Sequence, residues 1–301
     1  MYIIEQEINE QFSAIIKTVD SIVPRCAEIR EFFSAAAKLV VIGCGSSYSV
    51  AKSTALQFSQ WSGLPAVAIA AGDLLVNMDE YTNILSGATV IALSRSGSTS
   101  EVVRAVKTVK ERFGCRCASI CACENSPMEE IADINFLILW AFDKAVCQTR
   151  TVSNLYLAGA LLAAIASEND TVLSAAKRVE ASCASFCPEV DELVKAIGNG
   201  AWEQAVVLAD SGIAGLAEEG ALAFKEICRR NSNHYHVLDV RHGPMVQIDK
   251  KTLVIAVLSQ RNFSMQADLV RDIALKTDHL LVMSANAAVK TLDNCMTICL
   301  P

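Results

Sequence analysis

Apolar positions along this chain change period repeatedly, and the changes mark out its elements. Ile8, Phe12, Ile15 and Ile16 fall at helical spacing and predict a helical N-terminal segment over residues 1–36. A rhythm of short apolar runs and longer helical stretches then begins. Strands are predicted at 38–42, 65–70, 89–93, 116–122 and 135–140. Helices are predicted at 48–61, 100–113 and 151–166. The rhythm restarts near Trp202. It gives strands at 205–209, 252–258, 279–284 and 297–300, and helices at 216–230 and 265–276. Strands that alternate with helices imply parallel sheets covered on both faces. The reading is an α/β chain with two tandem doubly wound domains, over residues 37–180 and 181–301. The stretch 167–198 lacks a Pro/Gly-rich linker character, which predicts close packing of the two. A faint internal repeat supports a duplication: Ile91-Ala92-Leu93-Ser94-Arg95 precedes one helix, and Val257-Leu258-Ser259-Gln260-Arg261 precedes another.

Composition narrows the function. The chain is 301 residues long and 52% hydrophobic, so it can bury a large core. Its net charge of −7 argues against general nucleic-acid binding, which needs a basic field. A single phosphate remains compatible, because backbone N–H groups and hydroxyls can hold one. The first residues lack the basic and apolar regions of a signal peptide. The apolar run 155–166 is too short to span a bilayer and is expected to be a buried helix. No membrane partner is expected, and a cytoplasmic location is. Of twelve cysteines, Cys115, Cys117, Cys121 and Cys123 alternate on one predicted strand. Four ligands in a row on a strand cannot close a tetrahedron around a metal, so they are expected to be core thiols.

Two loops carry the chemistry. Gly43-Cys44-Gly45-Ser46-Ser47 lies between a strand and a helix, where backbone can approach an anion. It lacks the Gly-Lys-Ser/Thr of a nucleotide-phosphate loop. It also lacks the third glycine of a dinucleotide site, and Asp73 is the best acid offered for a ribose. Ser94-Arg95-Ser96-Gly97-Ser98-Thr99 again directly precedes a helix and offers four hydroxyls around one glycine. A solvated turn with an N-cap would explain one such loop; two in one sheet favour a ligand at the carboxyl ends of the strands. Glu219 and Glu226 share a helical face, and His242 lies in the Arg241-His242-Gly243-Pro244 loop. His234 and His236 are read as structural or exposed. No carboxylate completes a ligand set with them, so neither metal nor cofactor is expected.

Together these strings resemble the two-domain members of the sugar isomerase (SIS) superfamily. They are similar to the isomerase domain of glucosamine-6-phosphate synthase and to the tagatose-6-phosphate ketose/aldose isomerase or deaminase group. The matching strings are Gly43–Tyr48, Leu93–Glu101, Val146–Arg150, Glu219–Glu226 and Arg241–Pro244, in that order. The resemblance implies two flavodoxin-like three-layer α/β/α domains. It places Gly45, Ser46 and Ser47 at a first phosphate loop. Ser94, Arg95, Ser96, Gly97, Ser98 and Thr99 would form a second, and Gln148 and Thr149 would contact the sugar. It gives Glu226 the role of moving a proton between C1 and C2, and His242 that of assisting ring opening from a neighbouring subunit, hence a homo-oligomer. Ala223 stands where synthase-type relatives carry lysine. The chain ends just after a strand at Leu300-Pro301, so a final helix and a lysine-bearing tail are expected to be absent.

The expected activity is aldose/ketose isomerisation or deamination of a hexose or aminohexose 6-phosphate. A carboxylate and a histidine supply the proton transfers that either needs. The alternatives are deglycation of a phosphorylated fructose–amino acid adduct and non-catalytic phosphosugar sensing. A pure sensor has no need of Glu226 and His242, which favours an enzyme.

Overall fold

The computed structural model describes residues 2–301, without the side chains of 183–189. The chain divides into two compact units, one up to Glu180 and one from Ala181 onward. Each unit has a five-stranded sheet.

The first sheet contains β1 (Leu39–Gly43), β2 (Ala66–Ala70), β3 (Thr89–Ser94), β4 (Arg116–Cys121) and β5 (Ile134–Leu137). Every pairing is parallel, in the order β2-β1-β3-β4-β5. β1 and β3 are buried along their whole length. That explains their unbroken apolar runs: a strand covered on both faces has no polar side to alternate with. Residues 138–140, expected to extend β5, instead turn into a short 3₁₀ segment, Leu139–Ala141. The turn lets the Trp140 indole donate to the Thr18 hydroxyl at 2.8 Å.

Helices Ser46–Ser62 and Arg150–Ala166 pack together in this unit. At Gly159 any Cβ would collide with the Thr54 side chain, so only glycine permits the approach. The helix Arg150–Ala166 is a buried core element. Among the described residues no helix is long and apolar enough to cross a membrane.

The N-terminal helix, Ile3–Ile22, departs from its apolar pattern. Its buried residues are Glu7, Ala14, Thr18, Val19 and Ile22, whereas Ile8 is 43% exposed. The reason is that this helix docks partly through hydrogen bonds. Ser153 Oγ donates to Gln11 Oε1 at 3.0 Å, and Thr18 Oγ1 donates to Asn154 Oδ1 at 2.5 Å. Cys115, Cys117 and Cys121 sit in the core of this unit, while Cys123 lies beyond β4 and is half-buried. Burial pushes the Cys117 and Cys121 thiols up to about 12, so both stay protonated and unreactive.

The second sheet contains β6 (Gln204–Ala209), β7 (Asn231–Tyr235), β8 (Thr252–Leu258), β9 (Leu280–Ser284) and β10 (Met296–Cys299). Its order, β10-β9-β8-β6-β7, is that of the first sheet when strands are counted within each unit. β7 is absent from the sequence-based expectation, and the helix placed at 216–230 is Ala214–Glu226 instead. The strand reads Asn-Ser-Asn-His-Tyr and lies at the sheet edge, so it carries almost no apolar alternation. Its one buried residue, Ser232, donates to the carbonyl of Ala221.

Candidate functional site

In the first unit the chain runs from β1 outward to β2, then returns to β3 on the other side of β1. The β1/β3 boundary is therefore the switch point where ligands of doubly wound sheets bind. Both hydroxyl-rich loops begin there, on parallel neighbours about 4.8 Å apart.

The first loop needs its glycines. Gly43 lies so close to the next helix that a Cβ would fall 2.6 Å from the backbone of Ser47. Gly45 has φ 53° and ψ −128°, a conformation open essentially to glycine alone. Helix Ser46–Ser62 thus starts abruptly at the end of β1. Ser46 and Ser47 are buried in its first turn.

The second loop organises itself. Ser94 Oγ accepts from the Gly97 N–H at 3.0 Å and lies 3.3 Å from Thr99 Oγ1. Ser96 Oγ accepts from the Ser98 N–H at 3.3 Å and from the Ser98 hydroxyl at 3.0 Å. Gly97 has φ 62°, and a Cβ there would collide with Ser126. The Gly97 carbonyl accepts from Met128 N at 3.0 Å, and the Arg95 carbonyl from Ala122 N at 3.0 Å. The loop is thus pinned by the segment after β4 and leads directly into helix Ser100–Phe113.

A third loop, Phe142–Thr149, is joined to the second through Arg95. The Arg95 guanidinium donates to the carbonyls of Ala145 at 2.8 Å and Val146 at 3.2 Å. Asp143, fully buried, accepts from the N–H groups of Thr149 and Thr151, both at 2.8 Å. It therefore caps helix Arg150–Ala166 in place of an N-cap side chain. Gln148 Oε1 and Thr149 Oγ1 are both buried without a hydrogen-bond partner. Buried acceptors of this kind need a partner, and a ligand can supply it. Sequence reasoning missed Asp143 and Glu7, whose carboxylate also holds this loop. Glu7 acts on backbone more than a hundred residues away, and Asp143 on backbone six and eight residues further on, and neither leaves a periodic pattern that would signal it.

Asp73 does not stand free for a ribose. It accepts from Asn77 at 2.6 Å and from the Tyr81 hydroxyl, which holds its carboxyl below the usual range.

In the second unit Glu226 is the last residue of helix Ala214–Glu226 and is exposed, while Glu219 is buried. The two share a face by spacing but not an environment. Lys225 lines a cleft of about 500 Å³ with Gln204, Asn231, Gln247 and Asp249. His242 follows a 3₁₀ turn and is exposed; its N–H donates to the Asp239 carbonyl at 2.9 Å. Gly243, with φ 125°, then reverses the chain. Arg241 anchors this loop to Asp272 at 2.5 Å. His236 bonds Asp210 at 2.9 Å, and His234 bonds the Ala209 carbonyl at 3.3 Å, so both serve the end of β6. Among the described residues, no three His, Cys, Asp or Glu side chains gather as metal ligands.

The family model for the SIS domain matches residues 32–175, the stretch that holds all three loops of the first unit. That stretch is a SIS domain. The chain is 24% identical to a glutamine–fructose-6-phosphate aminotransferase (isomerizing) of Helicobacter pylori, over 94% of this chain and 49% of the relative. It is 26% identical to the corresponding protein 1 of Arabidopsis thaliana, over 88% of this chain and 40% of the relative. It thus spans less than half the length of these two relatives. Among solved structures, tagatose-6-phosphate ketose/aldose isomerase from Escherichia coli matches with a TM-score of 0.86. Identity is 20%, over all of this chain and 85% of that one. The C-terminal domain of glucosamine-fructose-6-phosphate aminotransferase from Francisella tularensis gives 0.83 at 17% identity, over 99% and 88%. The shared architecture is two tandem α/β units, each built on a five-stranded parallel sheet.

Proposed function

We propose that the chain binds a hexose or aminohexose 6-phosphate and isomerises or deaminates it. The observation that carries this reading is the pair of hydroxyl-rich loops at the β1/β3 switch point, each opening a helix N-terminus. Helix N-termini and hydroxyl donors suit a phosphate dianion, and they hold it without a basic field. Gly45, Ser46 and Ser47 approach it from one side. Ser94, Ser96, Gly97, Ser98 and Thr99 approach it from the other. The partnerless Gln148 Oε1 and Thr149 Oγ1 suit the hydroxyls of the sugar. The names of the relatives, which act on fructose 6-phosphate and tagatose 6-phosphate, support the same substrate class.

In this reading Glu226 takes a proton from one of C1 and C2 and returns it to the other through an enediol. His242 assists ring opening. Its exposure in a single chain suits a role contributed to the site of a neighbouring subunit, and hence a homo-oligomer.

The test is a panel of fructose, tagatose and glucosamine 6-phosphates, each beside its unphosphorylated sugar. Thermal shifts report binding, because a ligand of the native state stabilises it. Ammonia release and aldose/ketose conversion report activity. The 6-phosphates should raise Tm and the free sugars should not. Equal shifts from both would refute the phosphate site, and binding without turnover of any of them would leave a sensor.

A further inference from the structure

The peptide between Lys144 and Val146 is gripped from two directions. From the N-terminal helix, Glu7 Oε1 accepts the N–H of Lys144 at 2.6 Å and that of Ala145 at 3.3 Å. From the phosphate loop, Arg95 donates to the carbonyls of Ala145 and Val146. Glu7 is only 3% exposed, and its second oxygen is buried without a hydrogen-bond partner. A carboxylate kept in so dry a place is costly, and its clearest work is on the backbone. That backbone leads within a few residues to Gln148 and Thr149, whose acceptors are also buried and unmet. A second carboxylate on the same helix, Glu10, reaches Arg150 at 2.5 Å, just past Thr149. Glu7 lies before residue 32, where the match to the SIS domain begins.

We propose that Glu7 is a positioning residue for the phosphosugar site, setting where Gln148 and Thr149 stand relative to the phosphate loops. The inference rests on the phosphosugar reading above. The carboxylate and the Arg95 guanidinium bracket one residue, Ala145, with opposite charges on its N–H and C=O sides, and so fix the path of the loop there. Removing Glu7 leaves the Lys144 and Ala145 N–H groups unmet and frees the loop to drift. The hydroxyl loops that hold the phosphate keep their own internal hydrogen bonds.

Three ligand-bound measurements on the full chain test this, using calorimetry with fructose 6-phosphate and with inorganic phosphate. In Glu7→Ala, fructose 6-phosphate should bind about ten-fold more weakly or worse, the usual weight of a hydrogen bond to a charged group. Inorganic phosphate should bind as in the wild type. Glu7→Gln, whose amide oxygen can still accept both N–H groups, should recover most of the lost affinity. Hydrogen exchange at Lys144 and Ala145 should quicken in the alanine variant and return towards wild type in the glutamine variant. Equal weakening of both ligands, or unchanged fructose 6-phosphate affinity beside a lowered Tm, would show a purely structural residue and overturn the proposal. If the alanine variant does not fold, Glu7→Asp, which withdraws the carboxylate by one methylene, must show the same selective loss. A wild-type protein that binds fructose, tagatose and glucosamine 6-phosphates no tighter than inorganic phosphate would instead refute the phosphosugar reading itself.

Discussion

The loops that follow β3 and β8 occupy the same place in two sheets of the same strand order, yet they are built differently. After β3, the loop's hydroxyls bond its own N–H groups around a left-handed Gly97. After β8, a single buried side chain fills the loop. Gln266 Oε1 accepts the Ser259 N–H at 2.9 Å, while its Nε2 donates to the carbonyls of Ser259 at 3.2 Å and Arg261 at 2.9 Å. Ser259 Oγ accepts from Arg261 N at 3.2 Å, and Asn262 takes the left-handed position at φ 49°. One loop is furnished with hydroxyl groups and the other is plugged by a neutral carboxamide. The comparison teaches that ligand chemistry lives in the loop and not in the fold, since the fold is common to both.

The sharpest way to test this division is Glu226→Gln, because it separates binding from catalysis. The loops proposed to hold the phosphate belong to the first unit and keep their structure, so phosphosugar affinity should stay near wild type. Turnover should fall by roughly 10²–10⁴-fold, the usual share of a general base. Exchange of solvent deuterium into C2 of the sugar is the measurement. Exchange at the wild-type rate would remove Glu226 from the reaction.

Next comes Gly97→Ala. The backbone there needs φ 62°, and the added methyl would strike Ser126. Strain of about 1–3 kcal/mol at such a position, plus the clash, should lower Tm by several degrees. Phosphosugar affinity should fall by about a hundred-fold as the loop loses its shape. In the second unit, Asn262→Gly replaces a side chain at a left-handed position with the residue that tolerates it, and should be neutral or slightly stabilising. If Gly97→Ala bound normally, the loop's conformation would have no part in recognition.

How much of this was legible in the sequence follows from how local each feature is. Glycines at 43, 45 and 97 between an apolar run and a helix announce tight strand–loop–helix turns, because each obeys a steric rule visible within a few residues. β7 was not legible, since an edge strand of Asn, Ser and His carries no apolar face to alternate with its polar one. Glu7 was masked for the opposite reason. Ile8, Phe12, Ile15 and Ile16 form a convincing apolar stripe, but the helix turns Glu7 and Thr18 inward because hydrogen-bond partners await them there. Such partners lie more than a hundred residues away and leave no periodic trace. Arg95 shows the same limit: its loop was legible, but its guanidinium serves the backbone at 145–146, which only the tertiary structure reveals.

Ser96→Ala should have a smaller effect than Gly97→Ala, because it removes one hydroxyl and leaves the backbone path intact. A hydrogen bond to a charged group is worth about 1.5–3 kcal/mol, so phosphosugar affinity should drop about ten-fold or more. Tm should hardly move without ligand, since Ser96 is only half-buried and its partners are within the loop. Calorimetry showing unchanged affinity would place the phosphate elsewhere.

The smallest expected effect on the ligand is that of Gln266→Ala, and it bears most directly on the comparison. Gln266 is 6% exposed, and its carboxamide satisfies an N–H and several carbonyls of the loop after β8. Truncation leaves those groups unmet and should cost about 1–3 kcal/mol of stability. The loss should appear in denaturant unfolding as a lower midpoint. Affinity for fructose 6-phosphate should not change in the folded variant, because the plugged loop takes no part in the proposed site. The paired result, stability lost through Gln266→Ala and affinity lost through Ser96→Ala, is what two loops of different purpose on one scaffold require. A fall in affinity in Gln266→Ala with the fold intact would mean that the second loop also serves the ligand, and the contrast between the units would fail.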